Sequence, residues 1–231
     1  MTLTKKTGKD TTVINYVIFD LDGTLLYTLD SILYHLNETL EKNGLLKITL
    51  AQCSDFIGDG ARKLVTRAVE AGGVFDKELT EKVIGEYNAA YNSDPLPHTY
   101  PYDGITELVD ELSSRGLILG VVTNKPEPTA LQLVSHFFGD RISFVRGGRA
   151  GAVLKPDPTD SIASLTSVGG VPSECAFVGD TPVDIATAKN MGAALSVAVS
   201  WGFRTRAELE ATGADVVVDK PTEALTSILG Q

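Results

Sequence analysis

Apolar positions follow two different periodicities along the chain, and the change between them predicts its organisation. Residues 13–19 are almost continuously apolar, β-branched or aromatic, which is typical of a strand buried at the centre of a parallel sheet. Between residues 29 and 95 the apolar positions recur at helical spacing in four consecutive segments. Beyond residue 99, short apolar runs alternate with helical segments. This order predicts an α/β fold, a doubly wound parallel sheet, with a small helical domain inserted after its first strand.

The domain boundaries are predicted where the periodicity changes. The predicted parts are a flexible polar tail at residues 1–12, an α/β core at residues 13–26 and 99–231, and a helical domain at residues 27–98. Thr49 and Gln52 form a capping-box pattern that predicts the start of the second inserted helix. Residues 94–104 are rich in proline, glycine and aromatic side chains and are predicted to be the linker that returns to the core.

Composition narrows the classes of partner. The 231 residues are 43% hydrophobic and 22% charged, as in an ordinary globular protein. The formal net charge of −10 argues against nucleic acid or an anionic membrane as the main partner. It does not argue against a small anionic substrate, because a metal ion and a few amide groups can reverse the potential locally. The start of the chain lacks the apolar core of a signal peptide, and no apolar run approaches the roughly 20 residues of a membrane span, so a cytoplasmic protein is predicted.

The first strand ends in two acidic residues followed by a glycine. A single acid at this point is usually a turn or cap residue, but Asp20 and Asp22 are two positions apart and project to the same side of an extended chain. Two carboxylates in one small site repel each other unless a cation or a shared proton relieves them. Oxygen ligands of this kind suit Mg²⁺, which often binds one or two carboxylates together with a substrate phosphate.

Further polar residues follow the later strands. They are Thr123 with Asn124 and Lys125, Lys155 in the loop LKPDP, and Asp180 with Asp184. Each alone has a structural explanation, as a helix cap or as a surface lysine. Because the carboxyl ends of parallel strands meet at one edge of a sheet, we expect these side chains to converge with the first acidic pair. The sequence therefore predicts a single site that combines a hydroxyl, an ammonium group and four carboxylates.

This combination of groups suits phosphoryl transfer. Carboxylates can hold Mg²⁺, and a lysine and a hydroxyl can bind phosphate oxygens as charge spreads over them. A carboxylate that the metal does not fully occupy can attack phosphorus, and an aspartyl phosphate divides one difficult displacement into two easier ones. A second carboxylate can act as acid and then as base, a contribution of about 10²- to 10⁴-fold.

Four motifs together resemble those of the haloacid dehalogenase superfamily of phosphatases. FDLDGTLL resembles its first motif, VVTNK its second, the lysine of LKPDP its third and VGDTPVD its fourth, and they occur in the order of the family. The resemblance implies a Rossmann-like core, a helical cap that closes over the site, and Mg²⁺ as cofactor. It argues for phosphatase rather than dehalogenase chemistry, because a dehalogenase needs no acid at the position of Asp22.

The resemblance also implies a role for each matching residue. The implied roles are Asp20 as nucleophile and Mg²⁺ ligand, Asp22 as general acid and base with its backbone carbonyl on the metal, Thr123 and Lys155 as phosphate ligands, Asp180 as a direct Mg²⁺ ligand, Asp184 as support of the metal site, and Gly23 and Asn124 as substrate-binding residues. Arg62 and Lys63 are candidate cap residues for the anionic end of a substrate, and a solvated helix face explains them equally well.

Within the superfamily the chain is similar to the phosphoglycolate phosphatases. The similar stretches are FIGDGARKLV, YPYDGITELVDEL, VVTNKP and WGFRT. The chain departs from that group at residues 26–30, where LYTLD stands in place of its common Asp-Ser pair, and this departure concerns the leaving group. The prediction is Mg²⁺-dependent hydrolysis of a small phosphorylated metabolite, foremost phosphoglycolate. An inorganic pyrophosphatase and a phosphosugar mutase or phosphatase are the alternatives. An inactive binding scaffold would predict damaged motifs, and none is damaged.

Overall fold

The computed structural model describes residues 13–230, so the predicted tail at residues 1–12 lies outside the described residues. The strands are β1 (Tyr16–Phe19), β2 (Leu26–Tyr27), β3 (Tyr100–Pro101), β4 (Ile118–Pro126), β5 (Phe144–Gly148), β6 (Cys175–Gly179), β7 (Leu195–Val199) and β8 (Val216–Val218). The α-helices are α1 (Leu29–Lys42), α2 (Leu50–Phe56), α3 (Ala61–Ala71), α4 (Lys77–Ser93), α5 (Ile105–Ser114), α6 (Glu127–Phe137), α7 (Thr159–Ser167), α8 (Pro182–Met191), α9 (Arg206–Glu210) and α10 (Pro221–Leu229).

Six strands form one parallel sheet in the order β5-β4-β1-β6-β7-β8. Strand β1 lies inside this sheet, where Phe19 is in register with Val121 of β4 and with Val178 of β6. The chain moves outward from β1 in both directions, which confirms the predicted doubly wound α/β core. Since all six strands run in the same direction, their carboxyl ends share one edge, and the polar residues that follow them are brought together there.

The two faces of the sheet are covered by different helices. Val17 and Phe19 belong to a buried cluster with apolar residues of α5, α6 and α10. Ile18 points to the opposite face and joins a second cluster with residues of α7 and α8. Alternate residues of β1 are therefore buried on both sides, which explains why this strand is almost continuously apolar.

The helices α1 to α4, which we call the helical insertion, bury a hydrophobic cluster of their own. The capping box of Thr49 and Gln52 is confirmed at the start of α2, where the backbone N–H of Gln52 donates to Thr49 Oγ1 at 3.2 Å. The short strands β2 and β3 pair antiparallel where the chain leaves and re-enters the core. This pairing was not predicted, because two residues per strand are too few to show a periodicity. The domain boundaries themselves stay a prediction.

Two features expected from composition can be compared with the structure. Within residues 13–230, no helix combines the length and the apolar character that crossing a membrane requires. Cys53 and Cys175 are both buried and unpaired, so the interpretation of the cysteines as small core residues is confirmed.

Candidate active site

The polar residues at the strand ends converge at one edge of the sheet. Asp20 follows β1 directly and Asp180 follows β6 directly. The apolar run at residues 117–123 predicts a strand that ends at Thr123. Strand β4 instead continues to Pro126, and Thr123, Asn124 and Lys125 are buried in its last part. The register of β4 against β5 shifts between Val122 and Pro126, so this end of the strand departs from regular pairing.

Three of the converging residues form an acidic cluster. One ligand oxygen from each of Asp20, Asp180 and Asp184 lies within 4.8 Å of the others. Asp184 is held by a capping box at the start of α8, since its Oδ2 accepts hydrogen bonds from Thr181 N at 3.0 Å and Thr181 Oγ1 at 2.7 Å. Asp180 accepts from Thr24 Oγ1 at 3.0 Å. The helix cap therefore orients Asp184, and the hydrogen bond from Thr24 orients Asp180.

Lys155 lies between two of these carboxylates. Its Nζ is 2.8 Å from Asp20 Oδ1 and 2.7 Å from Asp184 Oδ1. The Asn124 side chain holds this loop, because its Oδ1 accepts from Lys155 N at 2.8 Å and its Nδ2 donates to Lys155 O at 3.2 Å. Burial lowers the pKa of Lys155, but Asp184 and Asp20 raise it above its ordinary value, so the side chain stays charged.

The negative charge of the cluster exceeds what Lys155 neutralises. Burial, together with the neighbouring Asp184 and Asp22, raises the pKa of Asp20 to about 6, although Lys155 opposes this shift. Burial and the neighbouring Asp184 and Asp20 also raise the pKa of Asp180 well above its ordinary value. Buried carboxylates repel one another when ionised, so the site favours an added cation.

The donor set fits a hard divalent cation. Asp20 Oδ1 is buried without a hydrogen bond, since its short contact with Lys155 lacks hydrogen-bond geometry. Asp180 and Asp184 add two further carboxylates within ligand distance of one ion. Carboxylate oxygens are the ligands that Mg²⁺ prefers in proteins. The residues present are therefore compatible with the Mg²⁺ that the resemblance implies.

Asp22 is paired with Lys125, a lysine without a role in the predicted site. Lys125 Nζ donates to Asp22 Oδ1 at 2.8 Å and to Asp22 Oδ2 at 3.1 Å. The same Nζ donates to the hydroxyl of Tyr91 in α4 at 2.7 Å and lies 4.4 Å from the centroid of that ring. Burial lowers the pKa of Lys125, while Asp22 acts in the opposite direction. Asp22 is thus connected through Lys125 to the helical insertion.

A partly open cavity lies between the sheet edge and the helical insertion. Asp20, Asp22 and Thr123 line it from the core, and the insertion contributes mainly apolar side chains. These apolar residues include Ile32, Ile57, Ala61, Leu64 and Tyr87. Of the lysines and arginines in the described part of the chain, Lys125 alone lines this cavity.

Gly23 is required at its position by backbone conformation and by space. Its φ is 82°, and a Cβ added there would lie 2.3 Å from Asp180 Oδ2. Gly202 approaches from the other side, where an added Cβ would lie 2.4 Å from the same oxygen. The two glycines therefore let the backbone pack closely around Asp180.

The other predicted substrate-binding residues differ in position. Asn124 lines the cavity, but its amide is engaged with the backbone of Lys155, and its Nδ2 also donates to Gly58 O of the insertion at 3.0 Å. Arg62 lies outside the cavity lining, is exposed and pairs with Glu81. Lys63 is also exposed, with its Nζ 3.6 Å from Asp59. The structure brings Asn124 to the site but does not bring Arg62 or Lys63 there.

The segment from Trp201 to Arg204 connects the acidic cluster to the helical insertion. The Phe203 amide donates to Asp180 Oδ2 at 2.8 Å, and Trp201 Nε1 donates to Thr24 O at 3.0 Å. The Arg204 guanidinium donates to Ser54 O and Ile57 O of the insertion, each at 2.9 Å. In the sequence this segment is notable only for its similarity to the phosphoglycolate phosphatases. Its contacts show that it positions both Asp180 and the end of α2.

The comparisons with known proteins define the class of enzyme. The family described as haloacid dehalogenase-like hydrolase matches residues 17–198, which include all four motifs. The chain therefore belongs to this family, and the resemblance inferred from the motifs is confirmed. Together with the relatives named below, this membership identifies a phosphatase that acts on phosphoric monoesters.

Individual relatives cover most of the chain. It is 38% identical over 209 residues to a phosphoglycolate phosphatase of Rhodospirillum rubrum, spanning 88% of this chain and 86% of that protein. It is 33% identical over 208 residues to a phosphoglycolate phosphatase of Xylella fastidiosa, spanning 89% of both. A crystal structure from Lactobacillus delbrueckii subsp. bulgaricus, whose own assignment as a phosphoglycolate phosphatase is provisional, matches with a TM-score of 0.88 at 28% identity and covers 95% of this chain and 100% of that one.

Proposed function

We propose that this protein is a Mg²⁺-dependent phosphoglycolate phosphatase that works through an aspartyl phosphate on Asp20. The observation that carries the proposal is the position of Asp20, a cavity-lining carboxylate 2.8 Å from Lys155 and within ligand distance of Asp180 and Asp184. Such a carboxylate has a cationic neighbour to bind phosphate oxygens and an open side from which phosphorus can approach.

The proposed reaction has two displacements at phosphorus. A carboxylate oxygen of Asp20 attacks the phosphorus, and the bond from phosphorus to the ester oxygen breaks while Asp22 donates a proton to that oxygen. Asp22, now a carboxylate, takes a proton from a water molecule that attacks the phosphoenzyme, and the bond to Asp20 breaks to release inorganic phosphate. Lys155 and Thr123 hold phosphate oxygens through both steps. The fold already keeps both side chains in position, so they need not rearrange when the substrate binds.

Asp20, Asp180 and the backbone carbonyl of Asp22 would hold Mg²⁺, with Asp184 supporting the site. The ion supplies positive charge that offsets the buried carboxylates and attracts the phosphate dianion. Asp184 is well suited to a supporting role, because both of its oxygens already accept hydrogen bonds from Thr181 or Lys155.

The cavity supports a small substrate. Its wall on the side of the helical insertion is mainly apolar. A phosphosugar would bury several hydroxyl groups against this wall without partners, which costs free energy for each unsatisfied group. A two-carbon phosphorylated acid has no such hydroxyls. This observation and the names of the relatives favour phosphoglycolate over the phosphosugar alternative.

A comparison of catalytic efficiencies tests the substrate. We expect kcat/KM for 2-phosphoglycolate to exceed those for pyrophosphate and for sugar phosphates, each measured with Mg²⁺ and again with excess EDTA. A higher kcat/KM for pyrophosphate or for a hexose phosphate would contradict the proposed substrate. Full activity after rigorous chelation would contradict the proposed metal.

Mg²⁺ should stabilise the fold more strongly at neutral than at acidic pH. The pKa of Asp20 is raised in the folded state from 3.8 to about 6, so its contribution to the stability of the metal-free protein is present at low pH and is lost as pH rises through about 6. Protons and Mg²⁺ compete for this carboxylate. With Mg²⁺ about 100-fold above its Kd, we expect Tm to rise by about 5–10 °C at about pH 7.5 and by clearly less at about pH 5.

Differential scanning calorimetry with NaCl of matched ionic strength distinguishes this effect from screening. Asp180→Asn should reduce the rise, whereas Asp103→Asn, which changes an exposed aspartate, should leave it intact. An equal rise at both pH values would contradict competition at the acidic cluster.

A further inference from the structure

Lys125 differs from the other lysines and arginines of the described chain in its position at the cavity. It is buried, with only 5% of its surface exposed, yet it lines the cavity beside Asp22. Burying an ammonium group is costly unless it is paired, so its presence here needs an explanation. In the proposed phosphoryl transfer Lys155 binds phosphate oxygens, whereas Lys125 has no role.

The two buried lysines of the site differ in how completely their charge is matched. Lys155 has two carboxylates in contact, Asp20 at 2.8 Å and Asp184 at 2.7 Å. Lys125 has one carboxylate in contact, Asp22, and its other polar contact is the neutral hydroxyl of Tyr91. A second anion at Lys125 would give this ammonium group two anionic neighbours, the same number as Lys155 has. The open side of the cavity is where such an anion can enter.

The place of Lys125 corresponds to the leaving-group side of the proposed reaction. In that reaction Asp22 reaches the ester oxygen, and Lys125 Nζ lies 2.8 Å from Asp22 Oδ1. A substituent one carbon away from the ester oxygen can therefore contact Nζ while the oxygen contacts Asp22. The rest of the neighbouring wall, formed by Ile32, Leu64 and Tyr87, offers no positive charge.

We propose that Lys125, held by Tyr91, binds the carboxylate of the substrate and so selects a phosphorylated 2-hydroxy acid over a phosphate ester whose alcohol part is uncharged. This inference rests on the proposed function and deepens it, because it assigns the acid group of the substrate to one residue. It also explains the contact with α4: Tyr91 fixes the ammonium group from the helical insertion, so the selecting group is positioned only when insertion and core are docked together.

The test compares two phosphate esters of nearly the same shape, 2-phosphoglycolate and its carboxamide, in which a neutral amide replaces the carboxylate. We expect the wild type to prefer the acid in kcat/KM by at least about 10-fold, as a hydrogen bond to a charged group predicts. Lys125→Met should remove most of this preference, and Tyr91→Phe should reduce it while keeping the ring. The ratio of the two esters isolates selectivity, since any disturbance of Asp22 affects both. Lys82→Met removes an exposed lysine from the same helix as Tyr91 and should leave the ratio unchanged.

A binding measurement separates selection from catalysis. In an Asp20→Asn background, titration calorimetry should give a Kd for 2-phosphoglycolate that Lys125→Met weakens by about 10-fold or more, with a much smaller change for the carboxamide. Equal losses for both esters, or a wild type without preference for the acid, would overturn the inference and assign Lys125 to positioning Asp22. Absence of turnover of either ester by the wild type would instead contradict the proposed function.

Discussion

Asp20→Asn should lower phosphatase turnover by about 10⁴-fold or more while the protein stays folded. The amide has nearly the shape of the carboxylate but is a poor nucleophile, so the attack on phosphorus is lost and the phosphate-binding groups remain. Stability should not fall, because burial already raises the pKa of Asp20 to about 6 and an ionised carboxylate there is unfavourable at neutral pH. Steady-state kinetics with 2-phosphoglycolate and a calorimetric Tm of the metal-free protein measure the two effects.

A covalent intermediate gives this prediction a second measurement. Acid-quenched wild type should carry a phosphoryl group on the peptide that contains Asp20, and Asp20→Asn should not. Asp103→Asn makes the same chemical change at an exposed residue and should keep full activity. Turnover by Asp20→Asn above about a hundredth of the wild-type rate would remove Asp20 as nucleophile.

The core of the fold was predictable because its signals are local and repeated. Residues 17–19 are buried on both faces, so their apolar character appears directly in the sequence. The parallel order of the later strands then requires Asp20 and Asp180 to meet, whatever the details of the loops. The strand predicted at residues 117–123 is shorter than β4, because Asn124 and Lys125 after Thr123 are polar, as at an exposed strand end, and yet are buried.

The contacts between core and insertion were not predictable in the same way. Lys125 and Tyr91 are 34 positions apart in the chain and meet only through the docking of α4 against the sheet edge. In the hydrophobic pattern of the sequence, Tyr91 counts only as an apolar position of an amphipathic helix. The pattern does not indicate that its hydroxyl contacts a lysine. Arg62 shows the opposite case: its charge suggests a ligand, but its side chain is exposed and paired with Glu81.

The position of the acidic cluster depends on the helical insertion through the backbone of one loop. The Phe203 amide donates to Asp180, and the next residue, Arg204, donates to two carbonyls at the end of α2. Asn124 makes a second connection, from the Lys155 loop to Gly58. Asp180 is thus connected to the insertion through two consecutive residues, and Lys155 is connected to it through the side chain of Asn124. Docking of the insertion and geometry of the site are expected to change together.

Lys155→Met should both destabilise the protein and impair turnover. The substitution keeps the apolar stem but leaves Asp20 and Asp184 without their shared cation, and breaking a buried ion pair in this way costs about 3–5 kcal/mol. Urea unfolding in EDTA at about pH 8 measures the loss, with Lys77→Met as a control at an exposed helix end. Turnover with Mg²⁺ should fall by about 10²- to 10³-fold, as when one group that stabilises transition-state charge is removed.

The pH dependence of this destabilisation checks its cause. Without Lys155 the folded-state pKa of Asp20 should rise further above 6, so the carboxyl is protonated over a wider range. A raised carboxyl pKa contributes stability at low pH that is lost as pH increases through it, so the difference between variant and wild type should shrink toward about pH 5. A difference that is the same at both pH values would point to lost packing of the lysine stem. A variant as stable as the wild type at about pH 8 would show that the two carboxylates do not depend on Lys155 for neutralisation.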